Sequence, residues 1–252
     1  MPDGVAVIGG TAPRRTIAPD DVELWWTALT GECAPDDRRV LSAAELERST
    51  RFGTVGFAND FVRIRATLRR VLAAYTGIAP EAVEFTAGVH GKPELPGHAL
   101  EFNLSHTADC AVVAIAGSGA VGVDLESLDA DFDHVALAAR VLTRGEADLV
   151  RADRRRFLHH WVAKESYLKW LGSGLTIPPD TLELGADASG RTVVTGVDGV
   201  ELPVGFVHRF GLSPRHVGAF VSHRPARRFP LRPAESAGAR AHFGRRSAGV
   251  QA

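Results

Sequence analysis

Asp124 and Glu126 in the run VGVDLE at 121–126, and Glu165 with Lys164 and Lys169 in FLHHWVAKESYLKWLGSGL at 157–175, are residue types that could work together. Carboxylates in this number suit a hard divalent cation, and ammonium groups suit phosphate oxygens. The combination is a set for divalent-metal and polyphosphate chemistry.

Two elements must position these groups. In the second stretch Leu158, Trp161, Val162, Leu168 and Leu171 recur at spacings of three and four, which predicts an amphipathic helix with its apolar face toward a core. Glu165 lies on that same stripe and needs a cation or a raised pKa, because an unpaired buried charge costs roughly several kcal/mol. The plain alternative is a Glu165 to Lys169 pair one turn apart, contributing about 0.2 to 0.5 kcal/mol. In the first stretch, strand alternation puts Val123 and Leu125 on one face and Asp124 and Glu126 on the other. The two carboxylates then stand about 6.6 to 7 Å apart along the backbone, a span that one cation can bridge. An Asp-x-Glu at a strand end is also common as a solvated edge. Cys110 to Ala116, Gly117-Ser118-Gly119 and Val121 to Glu126 together predict a hairpin of two mostly buried strands.

Charge usage sharpens the case. The chain has 26 Arg but only three Lys, at 92, 164 and 169, and two of these flank Glu165. Lys differs from Arg as a compact, deprotonatable ammonium, although three residues can also fall there by chance. Net charge is −1. Arg224 to Ala252 holds seven Arg and one Glu, +6, which leaves −7 for residues 1–223.

With 252 residues and 45% hydrophobic composition the chain can bury a sizeable core as one large domain or two small ones. Its two cysteines, Cys33 and Cys110, show no CxxC or Cys/His cluster, which argues against a disulfide scaffold and a structural zinc site. The start MPDGVAVIGG is unlike a signal peptide and no apolar run reaches membrane-spanning length, so a soluble cytoplasmic protein is expected.

Along the chain, Val22 to Leu29 reads as a strand and Ser42-Ala43-Ala44-Glu45 as a capping box opening a helix to about Phe52 that carries Arg48 and Arg51. Phe57, Phe61, Ile64, Leu68, Leu72 and Tyr75 form the stripe of a long helix that Gly77 ends, with Arg63, Arg65, Arg69 and Arg70 mostly off the stripe. For Arg65, Arg69 and Arg70 a solvated face is the expectation. Ala82 to Thr86 reads as a strand, Gly91-Lys92-Pro93 as a rigid loop presenting a lysine, and Phe102 to His106 as the approach to the hairpin. A lone Ser-His dipeptide such as Ser105-His106 is more often structural than a nucleophile and base, since adjacent residues rarely form the hydrogen bond a triad needs. Residues 134–141 and 145–150 read as helices, the latter with Glu146. Strands are expected over 182–194, 201–210 and 217–222, followed from Arg224 by a basic disordered extension. Each half thus offers strands and one long amphipathic helix, which suits two similar α+β lobes, residues 1–118 and 119–223, with 224–252 outside them. Nucleic-acid binding is discounted for want of base-stacking aromatics.

GKPEL at 91–95, FNLSH at 102–106, VGVDLE at 121–126 and WVAKESYLKWLGSGL at 161–175 resemble, in order and separation, the motifs of the Sfp-type 4'-phosphopantetheinyl transferases, and the resemblance covers residues 22–222. It implies a pseudo-two-fold pair of α+β lobes in one chain, usually monomeric, with coenzyme A in the cleft between them. The implied reaction moves 4'-phosphopantetheine from coenzyme A to a serine of an apo acyl or peptidyl carrier protein, in polyketide, nonribosomal-peptide or fatty-acid synthases, and releases adenosine 3',5'-bisphosphate. By the same resemblance Asp124, Glu126 and Glu165 hold magnesium or manganese, Glu165 or a metal-bound water takes the serine proton, and Lys169 neutralises the departing bisphosphate. Lys164 matches a neighbouring phosphate contact, Arg48 and Arg63 meet the 3'-phosphate, Lys92 approaches the nucleotide, and Ser105 and His106 contact the 3'-phosphate and its surroundings. Glu146 lies where relatives often have a further acid.

The chain departs from the pattern at Leu125, Ser173, Ala58 and Glu45, where some relatives carry polar or basic residues, so a lower coenzyme affinity is expected. Carrier docking is expected near Phe132 to Val141. The rival reading is a non-catalytic module that binds carrier proteins, and the acid cluster argues against it. A generic Mg²⁺-dependent kinase lacks its GxxxxGK[ST] loop here.

Overall fold

The computed structural model describes residues 14–88, 91–197 and 201–234. The elements of the first half are β1 (Val22–Ala28), α1 (Pro35–Arg39), α2 (Ala43–Ser49), α3 (Val55–Thr76), the two-residue pair β2 (Thr86–Ala87) and β3 (Pro93–Glu94), β4 (Glu101–His106) and β5 (Cys110–Ala116). The second half holds β6 (Val121–Ser127), α4 (His134–Val141), α5 (Arg144–Val150), α6 (Arg154–Leu171), β7 (Leu182–Ala186), β8 (Thr192–Gly196), β9 (Gly205–Phe210), β10 (His216–Ser222) and β11 (Leu231–Pro233).

Local signals set the helix ends. Ser42 and Glu45 form the reciprocal capping box of α2. The Thr54 hydroxyl accepts from the Phe57 N–H to start α3, and Gly77 ends it in the left-handed conformation. The expected strand at 82–86 is instead a 3₁₀ turn at Pro80–Ala82 and irregular chain that becomes β2 only at Thr86, since Pro80 sets φ for a turn that leaves only three residues before β2.

Two sheets form, ordered β11-β1-β5-β4 and β6-β10-β9-β8-β7. The expected hairpin of β5 with β6 does not exist. β5 is a central strand with β1 antiparallel on one edge and β4 on the other, so neither edge is free for β6, which pairs with β10. The Gly117-Ser118-Gly119 link therefore crosses between sheets. At Gly117 a Cβ would come within 1.8 Å of the Ala18 carbonyl oxygen, so only glycine fits that crossing.

Alternation then builds four layers. Val113 and Ile115 of β5 pack with Trp25, Leu68 and Leu72 under α3. Val112 and Ala114, on the opposite face, meet Val121, Val123 and Leu125 of β6. The other face of β6 receives α6, whose Leu158, Val162, Tyr167 and Leu168 enter the core of the second sheet. The order is α3, first sheet, second sheet, α6, an α+β architecture with one long helix on the outer side of each sheet.

The arginines of α3 are not solvated. Arg69 is 2% exposed and donates to Glu45 (2.8 Å) and to the carbonyls of Pro80 and Val83. Arg70 pairs with buried Asp37 at 2.5 Å, and Arg65 with Glu45 at 2.5 Å. The first half of the chain folds α1 and α2 over this face, and their acids meet the charges as they are buried.

The segment expected to be disordered from Arg224 returns to the first sheet. β11 pairs in parallel with β1, Leu231 opposite Leu24, and the Ala234 N–H donates to the Trp26 carbonyl. Pro233 is tolerated because β11 is an edge strand. Residues 235–252 lie outside the described residues. No helix among the described residues is long and apolar enough to cross a membrane.

Candidate active site

Gly122 decides how closely α6 can lie on β6. A Cβ there would come within 2.1 Å of the Ser166 carbonyl oxygen and 2.3 Å of the Trp170 nitrogen. With hydrogen in that place the helix backbone rests on the strand, and the next outward residues of β6, Asp124 and Glu126, lie under the turn that carries Glu165 and Lys169.

Asp124 is 5% exposed. Its Oδ1 accepts from the Ser105 hydroxyl at 2.9 Å and from Lys169 Nζ at 2.6 Å. Its Oδ2 is buried without a hydrogen-bond partner among the described residues. A buried carboxylate oxygen in that state costs on the order of 1 to 3 kcal/mol, more when charged, unless something else binds it. Among the described residues Glu126 accepts one bond, at 3.3 Å, from the Trp161 indole N–H. Burial, then the charge of Asp124, push its pKa up to about 7, with Trp161 and Lys169 opposing and Glu165 adding to the rise. Burial, then Asp124, likewise raise Glu165, with Lys169 opposing. The pairing of Glu165 with Lys169 along the helix gives way to a bond across to β6.

Among the described residues, three acids near one another therefore share the ammonium of Lys169. That excess of negative charge and the unpartnered Oδ2 are the kind of environment that suits a hard divalent cation, and Asp124, Glu126 and Glu165 are the oxygen donors that could hold one.

β4 joins this site to a second feature. Its side chains alternate: Asn103 Oδ1 accepts from the Val123 N–H (2.9 Å) and Ser105 Oγ from the Leu125 N–H (3.2 Å), which satisfies the free edge of β6. Ser105 thus orients Asp124, a role that sequence reasoning did not assign. His106 points the opposite way into a cavity of about 990 Å³ beside α2 and α3, lined also by Arg48, Asp60, Phe61, Arg65 and Phe85. The acid cluster does not line that cavity. Consecutive residues of one strand serve the two places.

Other expected contacts divide. Arg48 is exposed, with its guanidinium 5.4 Å from the Phe61 ring centre at the cavity wall. Lys92 is half-buried and donates to the Val121 carbonyl at 3.1 Å, while its neighbours Gly91 and Pro93 line the cavity. Arg63 is 4% exposed and donates to the carbonyls of Ala28, Thr30, Gly31 and Glu32, so its guanidinium holds the chain after β1. Lys164 is fully buried and bonds Glu146 at 2.5 Å. Burial would raise Glu146, but Lys164 and the N–H groups of Leu184 and Thr143 hold it below the usual carboxylate range. Lys164 faces away from the acids because residues adjacent on a helix point about 100° apart, and it ties α6 to α5 and β7.

The fold also makes a cluster where linear spacing shows none. Asp109, Cys110 and His216 bring ligand atoms within 4.8 Å of one another from opposite sheets.

A profile of the 4'-phosphopantetheinyl transferase superfamily matches residues 120–210, the span from β6 through α6 to β9. The chain is 33% identical over 174 residues to the 4'-phosphopantetheinyl transferase HetI of Nostoc sp., covering 65% of this chain and 73% of that one. A 4'-phosphopantetheinyl transferase of Bacillus subtilis is 28% identical over 167 residues, 64% of this chain and 73% of the relative. The 4'-phosphopantetheinyl transferase Sfp of Bacillus subtilis is 27% identical over 133 residues, 50% of this chain and 58% of the relative. With most of the Nostoc protein's length matched at that identity, and the matched profile spanning the strand and helix that carry the acids, this chain belongs to the 4'-phosphopantetheinyl transferase superfamily.

Proposed function

We propose that the protein transfers 4'-phosphopantetheine from coenzyme A to a serine hydroxyl of an apo acyl or peptidyl carrier protein and releases adenosine 3',5'-bisphosphate. The observation that carries this reading is Asp124, buried with one oxygen unpartnered between two further acids whose charges oppose each other.

Asp124, Glu126 and Glu165 would hold magnesium or manganese. Bound there, the cation supplies charge neutralisation at the coenzyme pyrophosphate. Glu165, which burial and then the charge of Asp124 push above its ordinary pKa, would be the acceptor for the serine proton. As the serine oxygen bonds to the phosphorus that carries pantetheine, the bond from that phosphorus to the bridging oxygen breaks and the bisphosphate leaves with the electron pair. Lys169, 29% exposed beyond its bond to Asp124, keeps donors free for that developing charge. Ser105 holds Asp124 in orientation from the opposite sheet. The adenosine and its 3'-phosphate fit the cavity with Arg48, His106 and the rings of Phe61 and Phe85. Arg63 and Lys164 hold structure around the site.

Intact-mass spectrometry tests this with a type I polyketide apo-carrier and a peptidyl apo-carrier, each incubated with the protein, coenzyme A and Mg²⁺, alongside a metal-free control. The expected result is a gain of one phosphopantetheine that disappears without metal. Coenzyme binding with no transfer to either carrier would favour the non-catalytic carrier-binding module.

A further inference from the structure

At the end of the molecule where β5 and β10 both begin, His216 Nε2 lies 3.0 Å from Asp109 Oδ1 and 3.3 Å from Cys110 Sγ. We propose that Asp109, Cys110 and His216 form a zinc site that staples the two sheets together, separate from the acid cluster.

The donor set carries the assignment. One imidazole, one thiol and one carboxylate are the ligand types of tetrahedral zinc, and the sulfur makes the site unsuited to magnesium. Around Zn²⁺ with bonds of about 2.0 to 2.3 Å, neighbouring tetrahedral ligands stand roughly 3.3 to 3.7 Å apart, so each of the two measured separations needs to open by only a few tenths of an ångström. The outer contacts match as well. His216 Nδ1 lies 2.9 Å from the Ser213 hydroxyl, the kind of bond that leaves Nε2 free as the ligand nitrogen. Thr107 Oγ1 donates to Asp109 Oδ1 at 2.7 Å and lies 3.3 Å from Cys110 Sγ, which orients both of these donors. His216 and Cys110 are buried, while the Asp109 side chain is 32% exposed and provides the route of access. On binding, the Cys110 thiol releases its proton to solvent and His216 keeps its proton on Nδ1.

The consequence is mechanical. Asp109 belongs to the short turn that follows His106 at the cavity, and His216 sits opposite Ser127 in the register of β6, directly after Glu126. Metal there would fix the first sheet against the second next to the proposed active site.

Cobalt(II) is the probe. Titrated into the purified metal-stripped protein, it should give a sulfur-to-cobalt charge-transfer band and intense tetrahedral d–d bands that saturate at one equivalent. One equivalent of Zn²⁺ should bleach them, and excess Mg²⁺ should not, since cobalt on carboxylates alone has no thiolate band. Cys33→Ala should keep the spectrum and Cys110→Ala should lose the charge-transfer band. Asp109→Asn, at a partly exposed position that tolerates the change, should weaken cobalt binding roughly tenfold or more. Zn²⁺ should raise the melting temperature of the wild type but not of Cys110→Ala. Absence of a thiolate band in wild type, or its survival in Cys110→Ala, would overturn the site and leave a hydrogen-bonded Asp-His-Cys contact between the sheets.

Discussion

Single side chains separate groups that face the proposed chemistry from groups that hold the fold. Asp124→Asn removes a charge that has one unpartnered oxygen and two acidic neighbours. Transfer should fall by roughly a hundredfold or more, the scale of losing one electrostatic contact to developing charge. Metal-free thermal stability should hold or rise, because repulsion with Glu126 and Glu165 is relieved; a matching fall in melting temperature would reassign Asp124 to the core. Lys164→Met is the converse. It leaves Glu146 buried without its cation, so stability should drop by about 3 to 5 kcal/mol in urea titrations. The KM for coenzyme A of the folded fraction should stay near wild type, and a large rise would restore the phosphate-contact role. Lys169→Arg should slow transfer markedly although charge is kept, because a planar guanidinium cannot reproduce the compact ammonium 2.6 Å from Asp124; stopped-flow single turnovers would measure it.

At the scale of elements, the contact of α6 with β6 controls the site. Gly122→Ala forces the helix off the strand, since the added carbon would lie 2.1 Å from the Ser166 oxygen. A loss of about 1 to 3 kcal/mol is expected from such overpacking, with a fall in transfer larger than the lost folded fraction explains. Calorimetry and activity on the same samples would separate the two. α2 and α3 meet through Glu45. Burial alone would raise its pKa, but the Ser42 N–H, Arg65 and Arg69 outweigh that and hold it below 4.5. A depressed folded pKa means stability that is present above the unfolded value and is lost as pH falls through the folded one. Melting temperature should therefore drop more steeply below pH 4.5 in wild type than in Glu45→Gln, and parallel curves would count against the pairing. The capping box of this helix was legible in Ser42 and Glu45. The two arginines that share the same carboxylate were not, because they come from a helix that begins ten residues later at Val55 and packs back across it.

For the molecule as a whole, the last described residues tie the two halves together. β10 belongs to the second sheet, yet eight residues after it β11 adds an edge to the first, with Ala234 buried against the core of α3. Ending the chain at His223 should expose the β1 edge, lower the melting temperature and promote association between molecules through that edge. Light scattering of the shortened protein would register it, and an unchanged melt with a monomeric profile would make the strand dispensable.

What the sequence by itself determined follows from interactions within a few residues. Alternation put Asp124 and Glu126 on one face, helical spacing put Glu165 and Lys169 on one turn, a capping box opened α2 and Gly77 ended α3. The tertiary structure decided which partner each group meets. β5 took β1 and β4 as neighbours and left β6 to β10; Ser105 went to Asp124; Arg63 and Lys164 turned into the fold; and Cys110 met His216 from 106 residues away. Strand edges and buried charges must be satisfied by whatever the packing brings beside them, and that depends on the whole chain's topology, which no local pattern records.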